Sequence, residues 1–122
     1  MRILIIDDSK FSQITTAKML RSVMPDLEIA FAGDGEEGWQ KYLEYKPDFV
    51  FVDLLMPLVD GQTLITRIKK ADPNANIIVI SADVQMSVRK ELEELGIKAF
   101  FNKPFNLEKA QMAAGIMKGD AQ

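Results

Sequence analysis

Asp7, Asp8, Asp53, Ser81 and Lys103 are the residues of this 122-residue chain best able to do chemistry together: three carboxylates, a hydroxyl and an ammonium. Each follows a strand-like run: wholly apolar Ile3 to Ile6 before the acid pair, Phe49 to Val52 before Asp53 and Ile77 to Ile80 before Ser81, and Ala99 to Asn102, with two phenylalanines, before Lys103. Wholly apolar runs of this length are strands buried on both faces of a parallel sheet, and ligands of open parallel sheets lie outside the carboxyl ends of the strands. Charged residues at those ends are placed for chemistry rather than packing. The chain has no histidine and no cysteine, which excludes imidazole bases, thiol nucleophiles, disulfides and zinc-finger sites.

Each residue has a plainer role open to it alone. Asp8 and Ser9 can cap a helix, Asp53 can open a turn, Ser81 can cap the next helix and Lys103 can be a solvated amine. Four such coincidences on one sheet edge are far rarer than one site. Two carboxylates about 5 Å apart repel by roughly 3 kcal/mol at an effective dielectric near 20, so three together raise a pKa or recruit a cation. Lys103 compensates only one of them. A divalent ion offsets the rest, and an all-oxygen donor set suits Mg²⁺ or Mn²⁺, with Mg²⁺ pointing to phosphate as its companion. Asp53 is then the natural nucleophile, giving an aspartyl phosphate whose oxygens Lys103 stabilises and to which Ser81 donates a hydrogen bond.

The remaining segments supply the helices that such a sheet needs. Ser9 caps a first helix with apolar face Phe11, Ile14, Ala17, Leu20 and Met24, ended by Pro25. Glu28 to Ala32 is a weaker, alternating strand suited to a sheet edge. Asp34 and Glu37 have capping-box spacing before a helix carrying Trp39, Tyr42 and Leu43, and Gly38 within it suggests close packing on the sheet. A third helix packs Leu64, Ile65 and Ile68. The fourth places Val84, Val88, Leu92 and Leu95 on one face and stops at Gly96; the fifth, capped by Asn106, carries Leu107, Ala110, Ala114 and Met117. Five strands alternating with five helices read as one α/β domain over residues 1–122: a doubly wound, flavodoxin-like parallel sheet. The order 2-1-3-4-5, known from other doubly wound sheets, suits the weak second strand at an edge and the third at the centre.

With the acid pair Asp7-Asp8, Asp53 followed by Met56-Pro57 and Gly61, Ser81-Ala82, and Lys103-Pro104-Phe105 in place, the chain resembles the receiver domain of two-component response regulators along essentially its whole length. The resemblance implies that Asp53 accepts a phosphoryl group from the histidine of a sensor kinase or phosphotransfer protein. It implies Mg²⁺ held by Asp8 and Asp53, with Asp7 assisting and the backbone carbonyl of Leu55 as a further ligand, and a cis Lys103-Pro104 peptide. Ser81 corresponds to the hydroxyl that moves toward the phosphoryl group and Phe100 to the aromatic that follows it, changing the face formed by helix 4, strand 5 and helix 5, where a downstream effector protein binds. Leu55 and Asp83 correspond to positions that tune hydrolysis of the phosphoryl group.

Other function classes fare worse. No glycine-rich phosphate loop follows the first strand, and three acids would repel the phosphate of a flavin. A net charge of −3 without a basic stripe disfavours nucleic acid. No apolar run has the length of a membrane span, and the N-terminus reads as a first strand in an unprocessed cytoplasmic chain rather than as a signal peptide. A Mg²⁺-dependent phosphatase with an aspartyl nucleophile wants a second acid soon after it, where Leu54 and Leu55 stand. A pseudo-receiver that only binds partners would lack Asp53, Lys103 or the acid pair. The chain ends soon after its last helix, as expected of a stand-alone regulatory receiver or one cut from a larger regulator. Arg89, Lys90, Glu91, Glu93 and Glu94 read as a solvated helix face. Met19, Met24, Met86, Met112 and Met117 read as core or edge filler, Met86 and Met112 being the two candidates for a partner surface.

Overall fold

The computed structural model describes residues 1–56, 60–82 and 84–121. Pro57 and Asp83, both singled out in the sequence, lie outside the described residues. The elements alternate as expected: β1 (Arg2–Ile6), α1 (Lys10–Val23), β2 (Glu28–Ala32), α2 (Gly35–Tyr45), β3 (Phe49–Val52), α3 (Gly61–Ala71), β4 (Ile77–Ser81), α4 (Met86–Leu95), β5 (Ala99–Asn102) and α5 (Leu107–Ala121). The five strands form one parallel sheet in the order β2-β1-β3-β4-β5. The apolar runs of β1, β3 and β4 are its buried centre, and alternating β2 lies at an edge with its middle residues only half-buried.

Because successive strand residues face opposite ways, the sheet separates two cores. Ile3, Ile5, Phe49, Phe51, Ile78 and Ile80 pack against α1 and α5 through Ala17, Leu20, Ala110, Ala113 and Met117. On the other face, Leu4, Ile6, Val50, Val52, Ile77 and Val79 meet Leu64, Ile65 and Ile68 of α3 and Leu92 of α4, with Trp39 and Tyr42 of α2 alongside. No described helix is long and apolar enough to cross a membrane.

Several expected apolar faces are narrower than the sequence suggests. Phe11 is 80% exposed, and Ile14, Leu43 and Leu107 also face solvent. Phe11, Ile14 and Leu107 sit in the first half of helices whose later turns cover the core, beyond the layer that Ala17, Leu20, Ala110 and Ala114 fill. Met86 and Met112 are exposed rather than filler, whereas Met117 is fully buried. Val84 precedes α4 instead of belonging to it, although it packs against the same core. Glu37 reaches back to the amide of Gly33, one residue before the Asp34 cap, at 3.1 Å.

Two glycines are required by close approach. A β-carbon on Gly38 would lie 2.8 Å from Ile6 Cδ1, so α2 rests directly on β1 as its glycine suggested. At Gly61 the conflict is with backbone: a β-carbon would lie 2.6 Å from the Asp53 carbonyl oxygen and from Leu54 Cα. The amide of Gly61 donates to Leu54 O at 3.1 Å, and Asp60 caps α3 by accepting from Thr63 N at 2.8 Å. The start of α3 is thereby pressed against the end of β3. Gly61→Ala should cost about 2 kcal/mol through overpacking against atoms that have no rotamer to change. Gly115→Ala, in α5 with open space around it, should instead stabilise by up to about 1 kcal/mol. Urea denaturation midpoints of the two variants should therefore move in opposite directions.

Candidate functional site

The carboxyl ends of β1, β3, β4 and β5 bring together all five residues singled out at strand ends. The ladder extends one step past β1 and β3, where Asp7 N donates to Ala32 O and Asp53 N donates to Ile6 O, both at 3.0 Å. The two carboxylates are thus set at adjacent strand tips by main-chain bonds. Lys103 arrives from β5, its amide donating to Ser81 O at 2.8 Å, immediately before the cis Lys103–Pro104 peptide that the resemblance implied.

Lys103 Nζ bridges two acids, donating to Asp53 Oδ2 at 3.0 Å and Asp7 Oδ2 at 3.1 Å. The other oxygen of each acid is held by neutral donors. Asp53 Oδ1 accepts from Ser81 Oγ at 3.0 Å and from Leu55 N at 3.1 Å, while Asp7 Oδ1 accepts from Ser9 N at 2.9 Å. Asp7, Asp53 and Ser81 are buried; Asp8 is exposed at the mouth. Oxygens of Asp7, Asp8 and Asp53 all lie within 4.8 Å of one another. Such a cluster, open on the Asp8 side and offering only oxygen donors, fits a hard divalent cation that retains water ligands.

Electrostatics record the crowding. Burial pushes the Asp7 carboxyl above its ordinary value, and the Asp53 charge adds to this; the hydrogen bond from Ser9 and the Lys103 ammonium only partly oppose them. For Lys103, burial alone would lower the pKa, but hydrogen bonds to Asp53 and Asp7 and their charges together raise it. The ammonium is the anchor of the site, and burial works against the ionised form of Asp7.

Leu55 is 61% exposed beside the cluster, its side chain free of the core. Phe100 lies outside the cluster, half-buried against the α3/α4 core. It pairs with Val79, and Ser81, two residues along β4, faces the same side of the sheet. The Arg89 guanidinium sits 4.9 Å from the Phe100 ring centroid and 3.7 Å from Glu93. Arg89 is therefore not part of a purely solvated face, unlike exposed Lys90, Glu91, Glu93 and Glu94. Four contributors carried no legible signal in the sequence: Arg89, the Leu55 and Ser9 amides, and Gln13 of α1, whose side chain reaches back to the strand ends.

A family model described as the response regulator receiver domain matches residues 3–114. The chain is 40% identical over 107 residues to the chemotaxis protein CheY of Thermotoga maritima, covering 85% of this chain and 86% of that protein. It is 43% identical over 104 residues to a protein-glutamate methylesterase/protein-glutamine glutaminase of Geobacter sulfurreducens, covering 84% of this chain but only 28% of the relative's length. Among solved structures, CheY in a CheX-CheY-BeF₃-Mg²⁺ complex from Borrelia burgdorferi superposes with a TM-score of 0.86 at 31% identity, over 99% of this chain and 90% of that one. The receiver domain of AraT from Geobacillus stearothermophilus gives 0.88 at 28% identity, over 99% and 95%. A match that runs from β1 into α5, shared with relatives of the same extent, makes this chain a member of the response regulator receiver domain family.

Proposed function

We propose that this receiver domain is a regulatory switch that takes a phosphoryl group onto Asp53 from the phosphohistidine of a sensor kinase or phosphotransfer protein. The observation that carries the reading is the environment of Asp53: a buried carboxylate whose oxygens meet Lys103, Ser81 and the Leu55 amide, with two further acids within 4.8 Å. A carboxylate oxygen of Asp53 attacks phosphorus; the new P–O bond forms as the P–N bond breaks, and the electron pair leaves with the imidazole. Asp53 needs no general base, since it attacks in its ionised form. Lys103, already 3.0 Å from Asp53, offsets charge on the transferring oxygens. Asp7, Asp8, Asp53 and the Leu55 backbone carbonyl would hold Mg²⁺, which supplies further charge neutralisation for the phosphoryl oxygens. The Borrelia relative's complex with BeF₃ and Mg²⁺ supports this assignment.

The output follows from the Ser81 hydrogen bond. Phosphorylation of Asp53 turns its carboxylate into an acyl phosphate, removing the charge that Ser81 Oγ now serves, and a phosphoryl oxygen becomes its better acceptor. Movement of Ser81 opens space on the sheet face that it shares with Phe100, and the ring follows it inward, altering the surface of α4, β5 and α5 to which an effector protein binds. The Arg89 contact contributes about 0.5–1 kcal/mol to the present position of the ring, which also packs against the α3/α4 core. That contact is weak enough for one phosphoryl group to overcome. Leu55 and Asp83 set the lifetime of the phosphoryl group, and the protein works in the cytoplasm.

Intact mass after incubation with acetyl phosphate and Mg²⁺ tests the chemistry: wild type should gain about one phosphoryl group, and Asp53→Asn or a chelator should abolish the gain. Lys103→Met should slow the transfer at least 10²-fold, the usual loss when a charge stabilising a transition state is removed. Steady phosphate release without an adduct would instead indicate a phosphatase.

The raised pKa of Asp7 gives a second expectation. Its contribution to stability is full below the unfolded-state value and is lost as pH rises through the folded one, so at neutral pH ionised Asp7 burdens the metal-free fold. Asn keeps an oxygen for the Ser9 amide but gives up the Lys103 ion pair. A higher Tm than wild type is expected for Asp7→Asn at pH 7 without metal, the difference shrinking toward pH 4. Wild type should gain about 2.7 kcal/mol from Mg²⁺ at 100 times its Kd, and the variant should lose most of that gain.

A further inference from the structure

Asp8 is the exposed acid of the cluster, yet its oxygen lies within 4.8 Å of two other carboxylates that repel it. The contacts that hold residue 8 there are on the main chain to either side, and one residue supplies a bond on each. The backbone amide of Gln13 donates to Ser9 O at 2.9 Å, as the first bond of α1. Its side-chain Nε2 turns back and donates to Asp7 O at 2.7 Å and to Ala32 O at 3.2 Å. Ala32 O also accepts the Asp7 amide at 3.0 Å, so the ends of β1 and β2 and the first turn of α1 meet at this one amide group. The Asp7–Asp8 peptide plane is fixed by its carbonyl, and with it the direction in which Asp8 leaves the backbone.

We infer that Gln13 is the positioning residue of the cation site: by clamping the Asp7 and Ala32 carbonyls it holds Asp8 beside Asp7 and Asp53 before any ion arrives. The role rests on the reading of this cluster as a Mg²⁺ site. Gln13 itself touches neither ion nor phosphoryl group. Its half-buried amide spends both donors on main-chain carbonyls, leaving none for the ligand. Groups that orient ligands from one layer out typically change metal affinity by about 10–100-fold when removed.

The test is calorimetric titration of Mg²⁺ into wild type, Gln13→Leu, Asp8→Asn and Ala17→Gly at a temperature where all are folded. Leu is one atom shorter but keeps most of the side chain's bulk, and it removes both donors. Ala17→Gly weakens the same helix from its core-facing side without touching the strand ends. Gln13→Leu should raise the Kd about tenfold, while Ala17→Gly lowers Tm and leaves the Kd at the wild-type value. Amide exchange at Ser9 should quicken in Gln13→Leu alone. A wild-type Kd in Gln13→Leu, or an equal rise in Ala17→Gly, would overturn the positioning role while leaving the Mg²⁺ site intact. Absence of Mg²⁺ binding in wild type, with no difference from Asp8→Asn, would overturn the cation reading and this role with it.

Discussion

Three carboxylates share one ammonium at the carboxyl edge of the sheet, and the rest of the domain is arranged to make that imbalance tolerable. Lys103 Nζ reaches two of the acids at 3.0 and 3.1 Å, and the oxygens it does not reach are served by neutral donors, Ser81 Oγ and the amides of Leu55 and Ser9. Such donors stabilise negative charge without adding a competing cation, and the two amides, being fixed to backbone, cost little to align. The third acid, Asp8, is left toward solvent, where repulsion is screened and an ion can enter.

That arrangement depends on the main chain being held at several points around the edge. Ladder bonds carried one residue past β1 and β3 set Asp7 and Asp53, and the Gln13 amide ties the tips of β1 and β2 to α1. Gly61 lets α3 begin in contact with the Asp53 carbonyl, which leaves the residue after β3 no room to move away. The fully apolar central strands serve the same end. With Leu4, Ile6, Val52 and Val79 buried completely, the strand tips project from a rigid layer, and the acids inherit that rigidity.

The strand ends were the most legible part of the molecule. Four apolar runs each stopped by a chemical residue suffice to assemble the cluster, because parallel topology forces all carboxyl ends to one side. Helix faces were read less well where they extend past the core layer. Phe11, Ile14 and Leu107 keep the helical phase of buried residues but stand in turns beyond the sheet, and phase alone does not say how far a core reaches. The secondary partners were not legible at all. Gln13 and Arg89 act through long side chains that fold back onto a carbonyl and a ring, and no spacing in the sequence marks a side chain that does so.

The two faces of the sheet carry separate apolar cores. Ser81 and Phe100 belong to the side packed by α3 and α4, while Phe105 and the helices α1 and α5 fill the other side with an independent set of apolar contacts. Under the proposed switch, the displacement of Ser81 and Phe100 therefore starts on the α3/α4 side, and α5 takes part in the output surface through its exposed side while its inner side keeps the other core.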